Sequence, residues 1–582
     1  MAVFVTTRNS AWSSGYTGYL YKRSLNRTTS AWSMTALDLP SNVATLNVRP
    51  SFATYRRRTY IAGMFSDILV IGEDQKVYKA GLHAHPAAPT VVGAAGGTVT
   101  GEARCYISFV HKIGNLDVSE SNLSPVTVVT LASQARAWTL PTTSMDPHTT
   151  HVRGWVGMYG AIPRRAFETT LGSAAITEGV PTAELLEMPM FYNDGTLYVN
   201  DNGVPPYCKY IKAYHGRMIY AGDPQHPYRL WYSELDRPTA VGETDASYLD
   251  TTDGEAITGL GLHGESLVVF CNRATYLVRG WTDGSEGVAP DLGIDKVLDG
   301  IGCVSHHSIV RINERLWYAA EDGIRVYDGG FSYLMEDLRG YWKDDYKAYV
   351  DVYKDSEAID DKDYTLYRLL IPDRDGSRYY CADYSDTDPT VGGSGLQPAW
   401  SFDTRARNDT AIGTVRDADG HIKSYTGSDD GYIRQENVLT DADDDNDTDN
   451  KAWEILLKHQ TFGELAGDND EGKELTRLFL QAESEDAQFT VAVYAGGEDA
   501  HNAYTPTWSQ VEPAAGLTYD RGDGTDVIAV AESKFNYVPS GCAGEGFFVK
   551  LSGSAQTGFK FRGVGFEYGP GPCKRPYATL AP

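Results

Sequence analysis

Gly259-Leu-Gly-Leu-His-Gly264 spells the glycine pattern with which a loop cradles a dinucleotide pyrophosphate. That chemistry needs the loop to end a strand and open a helix, whose N-terminal amides hold the phosphates. Here Ser266-Leu-Val-Val-Phe270 follows, an apolar run that predicts a second strand, so the glycines read as a turn. The acidic run from Asp441 to Asp449 has the carboxylate density that calcium favours. An EF-hand loop counted from Asp441 needs Gly sixth and Glu twelfth and finds Asn446 and Ala452, so a solvated linker is expected over 437–452. His306-His307 is predicted at a strand start, where adjacent side chains leave on opposite faces and cannot share one metal.

Other reactive patterns are thin. The sequence contains no Walker A loop, H-E-x-x-H helix or G-x-S-x-G elbow. Seven cysteines, at 105, 208, 271, 303, 381, 542 and 573, include no C-x-x-C pair, which argues against a disulfide framework or a zinc site and for synthesis in a reducing cytoplasm. Sialidases repeat a Ser-x-Asp-x-Gly-x-Thr-Trp box, and Ser428-Asp-Asp-Gly431 approaches it once, with the wrong spacing. A glycosidase carboxylate pair leaves no local pattern, so no Asp or Glu is singled out. The expectation is no catalytic residue, no cofactor, no metal and no enzymatic activity.

The elements that position these residues are strands. Tyr is the main aromatic, 38 residues against 18 Phe and 11 Trp, and with 59 Gly it suits many short strands joined by tight turns. One unit recurs: strand, polar turn, strand, polar turn, strand. It appears in Ile61–Lys79, in Tyr210–Ser233, in Ile257–Gly280 and in Ser308–Asp328. Weaker copies run from Ala348 to Tyr384, around Asp373-Arg-Asp-Gly376, and from Thr410 to Gln435, around Asp417-Ala-Asp-Gly420 and Asp429-Asp-Gly431. Asp-Gly between alternating apolar residues is a hairpin signal, because type I′ turns need positive φ at both central positions. Repetition of such units predicts a β-propeller, which shields strand edges by radial repetition.

Residues 84–205 break the rhythm. Ala103-Arg-Cys-Tyr-Ile-Ser-Phe-Val110, a strand opening at Val126, Val152-Arg-Gly-Trp-Val-Gly-Met-Tyr159 and Ala166-Phe-Glu-Thr-Thr170 predict an inserted β-sandwich. Alternation in Leu475–Ala482, Phe489–Tyr494, Gly546–Ser552 and Phe559–Tyr568 predicts a C-terminal sandwich. The expected organisation is an N-terminal β segment (1–51), a propeller over 52–83 and 206–436 interrupted by the insert, the acidic linker (437–452) and the C-terminal domain (453–582).

The net charge of −27 argues against tight wrapping of nucleic acid, which needs clustered Lys and Arg. No run reaches the ~18 apolar residues of a membrane span, and no secretion signal is visible. The sequons at Asn26, Asn408 and Asn446 therefore read as chance.

Ile257–Phe270 with Tyr276-Leu-Val-Arg-Gly280, then Gly302–Val310 with Leu316-Trp-Tyr318 and Asp322–Asp328, resembles the propeller of the tail nozzle, or tail tubular, proteins of short-tailed bacteriophages. Glu120-Ser-Asn-Leu-Ser-Pro125 in a fibronectin-III-like insert, and Lys473-Glu-Leu-Thr-Arg-Leu478 near the C-terminus, resemble phage tail modules. The resemblance covers roughly 52–570, and the insert is longer than in the compact versions. It implies a virion structural protein, assembled in the host cytoplasm, that forms a ring with itself, usually a homohexamer, below the portal and adaptor. DNA passes through in transit during genome ejection without sequence-specific binding, and there is no membrane anchor. The alternative is a propeller-type glycosidase or glycan-binding virion protein acting on host surface polysaccharide. With 78 Asp and Glu against 51 Lys and Arg, a lumen of net negative charge is expected, because it repels phosphates and lets the duplex slide.

Overall fold

The structure is a computed structural model that describes residues 2–8, 16–26, 31–41, 43–46, 48–158, 161–191, 202–242, 246–249, 255–279, 293–334, 342–343, 346, 350–362, 365–372, 377–384, 398–405, 408–416, 421–429, 432–436 and the strands between 451 and 570. The chain is mostly β, in many small antiparallel sheets. It divides into two compact units, Met1–Tyr333 with Ala348–Ala358 and Leu334–Lys347 with Ile359–Pro582.

Four sheets of the first unit share one plan, with four strands paired in sequence order. Sheet I joins Ser51–Tyr55, Arg58–Ala62, Leu69–Ile71 and Val77–Lys79. Sheet II joins Tyr210–Tyr214, Arg217–Ala221, Arg229–Tyr232 and Ala246–Tyr248. Sheet III joins Ile257–His263, Ser266–Cys271, Ala274–Arg279 and Gly293–Asp299. Sheet IV joins Val310–Ile312, Arg315–Ala320, Gly323–Tyr327 and Phe331–Tyr333. The sequence pattern found three strands per unit; the last strand of sheets II, III and IV and the first of sheet I complete each set.

These sheets pack face on face in chain order, and the period of two along a strand explains how. Met218 and Tyr220 of sheet II join Tyr60 and Val70 of sheet I, while Ile219 and Ala221 point the other way, to Leu267 and Val269 of sheet III. Val268 and Phe270 of sheet III in turn pack on Leu316 and Tyr318 of sheet IV. A central strand thus serves two cores, so Leu267–Cys271 is unbroken apolar sequence rather than an alternation. Each such side chain, fully buried, contributes about 1.5–3 kcal/mol. Close approach needs small residues on the first strand of sheet III. A Cβ on Gly261 would lie 2.8 Å from Leu316 Cδ1, and one on Gly259 2.5 Å from Ile309 Cδ1.

The loop carrying the dinucleotide-like glycines is accordingly a hairpin, with His263 opposite Ser266. The first turns of sheets I and IV have positive φ at both central residues, but these are Arg56-Arg57 (46° and 64°) and Asn313-Glu314 (47° and 65°), not Asp-Gly.

Between sheets I and II lies the insert. Its strands Arg164–Thr170, His151–Met158, Thr90–Ile113, Thr127–Thr139 and Ala175–Glu178 pair in that order, and Leu116–Glu120 adds to the central one, making six. The central strand is 24 residues long and changes partners along its length. Its first half pairs only with Thr127–Thr139, through a bulge at Ser133, while Ala103–Val110 also pairs with His151–Met158. Val99, Cys105, Ile107, Phe109, Leu131, Trp138, Val152 and Val156 form one core. A helical turn, Thr182–Leu185, adds Leu185 to that core.

The N-terminal strands Ala2–Arg8, Tyr16–Asn26 and Ala31–Leu37 form a three-stranded sheet, from which Leu20 packs on Ile61, Met64 and Phe65. In the second unit, Leu366–Ile371, Ser377–Asp383 and Ala399–Arg405 pair in order, as do Asp409–Arg416, Ile422–Ser428 and Ile433–Gln435. Towards the C-terminus, Gly546–Ala555 centres one sheet and Lys473–Ser484 another. The turns Asp373–Gly376 and Asp417–Gly420, and the acidic run Asp441–Asp449, lie outside the described residues.

One local expectation is corrected. His306-His307 does not start a strand; it opens a one-turn 3-10 helix, His306–Ser308, ahead of Val310–Ile312. Ser308 drives the turn, since its hydroxyl donates back to the Ser305 carbonyl at 2.7 Å.

Candidate functional site

Three groups of polar side chains converge within the first unit. In the insert, the register sets Arg153 among three acids from two other strands. Its Nη1 donates to Glu120 Oε2 at 2.6 Å, its Nη2 to Asp117 Oδ2 at 2.5 Å and its Nε to Glu168 Oε2 at 2.7 Å. Lys112 Nζ holds the other oxygen of Glu168 at 2.5 Å, and the Ser108 hydroxyl donates to Glu120 Oε1 at 2.6 Å. Beside this hub lies a cavity of about 290 Å³ lined by Lys112, Arg165, Ala166, Phe167, Glu168 and Met188.

Burial pushes the Glu120 carboxyl up, against the opposing pull of Arg153. Burial also works to raise Glu168, but hydrogen bonds from Lys112 and Arg153 outweigh it and hold that carboxyl at about 2. A general acid needs a proton near the working pH, and Glu168, the one acid facing the cavity among the described residues, is pinned as an ion. What the hub does is cross-link strands. A second buried pair does the same at the far side of the sheet, where Arg136 Nη2 donates to Glu178 Oε2 at 2.9 Å and Trp138 Nε1 to Glu178 Oε1 at 3.1 Å.

The second group centres on His306. Its Nδ1 accepts the Leu260 amide at 3.2 Å, which leaves Nε2 to donate to Ser51 Oγ at 3.0 Å. Ser51 Oγ also accepts the Ile211 amide at 3.2 Å, so one ring ties the first strands of sheets I, II and III. Burial, then the neighbouring His307 and Lys212, push the His306 pKa well down; burial and Arg49 take His307 to about 3. With both nitrogens engaged, His306 offers no lone pair to a metal. Among the described residues no group of three or more His, Cys, Asp or Glu is arranged to hold one.

The third group sits where the insert meets sheet I. The rings of His111 and His148 meet edge to face, centroids 5.0 Å apart, and Tyr78 packs on them at 4.3 and 5.8 Å. His148 Nε2 donates to the Gly81 carbonyl at 3.3 Å. His83 lies on Asp146, with its amide donating to Oδ2 at 2.7 Å and its Nδ1 3.2 Å from Oδ1.

Of the residues picked from sequence, Gly259 and Gly261 serve sheet packing and His306 pins three strands. The five described cysteines, Cys105, Cys208, Cys271, Cys303 and Cys381, are all buried and outside any disulfide, and burial raises the thiols of Cys105, Cys271 and Cys303 to about 12. Sequence reasoning passed over Arg153, His111 and His148. A cue was present: each is a polar residue inside or beside a run that otherwise buries, as in His151-Val-Arg-Gly-Trp-Val-Gly-Met158.

No protein-family model matches the chain, and no curated protein matches it. Among solved structures, similarity is found to the extracellular domain of a hybrid two-component system from B. thetaiotaomicron, at 10% identity over 90% of this chain and 73% of that one, with a TM-score of 0.25. A glycoside hydrolase aligns at 8% identity over 88% and 97% of the two chains, with a TM-score of 0.13. The extracellular domain of a one-component system from B. thetaiotaomicron aligns at 10% identity over 92% and 82%, with a TM-score of 0.14. Scores this low carry no inference of shared fold or activity. Among the described residues no helix is long and apolar enough to cross a membrane.

Proposed function

We propose that this chain is a structural subunit of a bacteriophage tail, forming a ring-shaped nozzle or hub channel through which the genome leaves. The observation that carries the reading is the run of four-stranded sheets packed face on face, I to IV, broken after the first by a single six-stranded insert. On this reading the sheets close into a β-propeller, the insert is a fibronectin-III-like sandwich, and the C-terminal strands form a second sandwich. The polar groups fit the same role. The Arg153 hub and His306 hold strands together, as a part under load during ejection requires, and supply no poised acid or base.

The subunits associate as a homohexamer beneath portal and adaptor proteins in the virion, and DNA crosses the lumen without specific contacts. The chain's charge of −27 favours a net negative lumen. Negative-stain averaging of the purified protein tests the ring directly, with closed rotationally symmetric particles expected. A stable monomer that cleaves oligosaccharide, with turnover abolished by one Asp or Glu substitution, overturns the reading in favour of a glycosidase. A ring whose lumen is lined mainly by Lys and Arg overturns the charge mechanism while leaving the tail assignment standing.

A further inference from the structure

We propose that His111 and His148 form an acid-released latch between the insert and sheet I, with the His83–Asp146 contact as the pivot that stays closed. The geometry fixes what a proton does there. His148 Nε2 donates to the Gly81 carbonyl, so in the neutral ring Nδ1 is the bare nitrogen, buried and without a hydrogen-bond partner. Nδ1 of His111 is likewise buried and unpartnered. A bare nitrogen is tolerated in such a place, but protonation turns it into a charged N–H with no acceptor, the costlier arrangement. The second proton must enter a ring whose centroid is 5.0 Å from the first, so the charges also repel.

The groups facing the pair do not rescue it. His111 is exposed by only 2% and His148 by 9%. Around His111 stand His148, Tyr78, Asp74 and Arg58; the Asp74 carboxylate favours its charge, but that oxygen already accepts the Tyr78 hydroxyl, and Arg58 opposes. Around His148 stand Asp146, Lys79, His83 and the Gly81 carbonyl; Asp146 favours its charge, and Lys79 and His83 oppose. Burial dominates in both, lowering His148 and taking His111 to about 4. His83 behaves in the opposite sense, since its hydrogen bond to Asp146 raises its pKa.

The signs then separate the two contacts. The opened latch takes up protons near the ordinary histidine value of about 6.5, and the closed one does not until about 4 for His111. Closure therefore weakens as pH falls from about 6.5 towards 4, by up to tenfold in the opening equilibrium per pH unit and per histidine. The His83–Asp146 contact is strongest with His83 protonated and Asp146 ionised; it weakens as pH rises through the raised pKa of His83, or falls through the lowered pKa of Asp146, below the range in which the latch opens. Acid thus frees Tyr78 of sheet I from the insert while the His83–Asp146 contact keeps its hold.

Hydrogen exchange of the full chain at pH 7.5, 6.5, 5.5 and 5.0, corrected for the intrinsic pH dependence of exchange, tests this. Peptides covering 74–79, 107–113 and 146–150 are expected to open at least tenfold more at pH 5.0 than at 7.5, relative to Ser266–Cys271 of sheet III. His148→Gln, which keeps a donor for the Gly81 carbonyl, is expected to flatten that dependence. In wild-type protein the assigned imidazole resonance of His111 should still be neutral at pH 5.5, as should those of the buried His306 and His307. Junction peptides that follow sheet III at every pH, or a His111 ring titrating near 6.5, overturn the latch even if His148→Gln fails to fold.

Discussion

The sheet stack and the insert solve the same problem, holding strands together, by different means. In sheets II and III the central strands are buried on both faces, and adhesion is apolar shape: Ile219 against Leu267, Phe270 against Tyr318, with glycine where a side chain does not fit. The insert has one apolar core, and beside it strands are joined by buried charge at Arg153 and Arg136. The comparison teaches that burial alone does not set sensitivity. An apolar contact loses in proportion to what is removed, whereas a buried ion pair loses disproportionately when one partner goes, because the other charge stays behind.

The largest effect expected from this contrast is in the insert. Arg153→Met strands Glu120 without its cation, at a cost of about 3–5 kcal/mol, and hydrogen exchange should show the insert opening while Ser266–Cys271 stays protected. Adding Glu120→Gln should recover part of the loss, a coupling that independent sites do not show. Acidification should act like the second substitution, since protonating Glu120, already pushed up by burial, removes the stranded charge.

The next effect sharpens the stack side. Gly261→Ala places a methyl 2.8 Å from Leu316 Cδ1, and overpacking of this kind costs about 1–3 kcal/mol; the loss should register as a lower denaturant midpoint and faster exchange in sheets III and IV, sparing the insert. Ile219→Val, the removal of one methylene between sheets II and III, should cost about 0.5–1.5 kcal/mol by the same midpoint measurement. At the small end stands Lys354→Ala. Its partner Asp351 is 3.0 Å away with both side chains exposed, and an exposed pair of that kind is worth under about 1 kcal/mol, so the midpoint should barely move.

How much of this was legible beforehand differs between the same two regions. The stack was readable because burial on two faces writes itself as long apolar runs, and Leu267–Cys271 and Leu316–Ala320 stand out. The fourth strands were missed because they lie at sheet edges and are short or polar; Gly293–Asp299 buries none of its residues fully. The I′ turns at Arg56-Arg57 and Asn313-Glu314 were missed because the strand pairing on either side imposes positive φ on residues that do not favour it. The insert's polar hubs were not legible at all. Arg153 meets acids 33, 36 and 15 positions away, a coincidence made by strand register and by no local spacing. His111 and His148 likewise meet only because the central strand and the loop before His151 end at the same place.

The account as a whole stands on self-association, and the absolute mass of the purified protein in solution measures it most directly. Light scattering should give a single species at six times the chain's 63.8 kDa, about 383 kDa, unchanged on dilution through the micromolar range. A species that stays at 63.8 kDa at every concentration would contradict it.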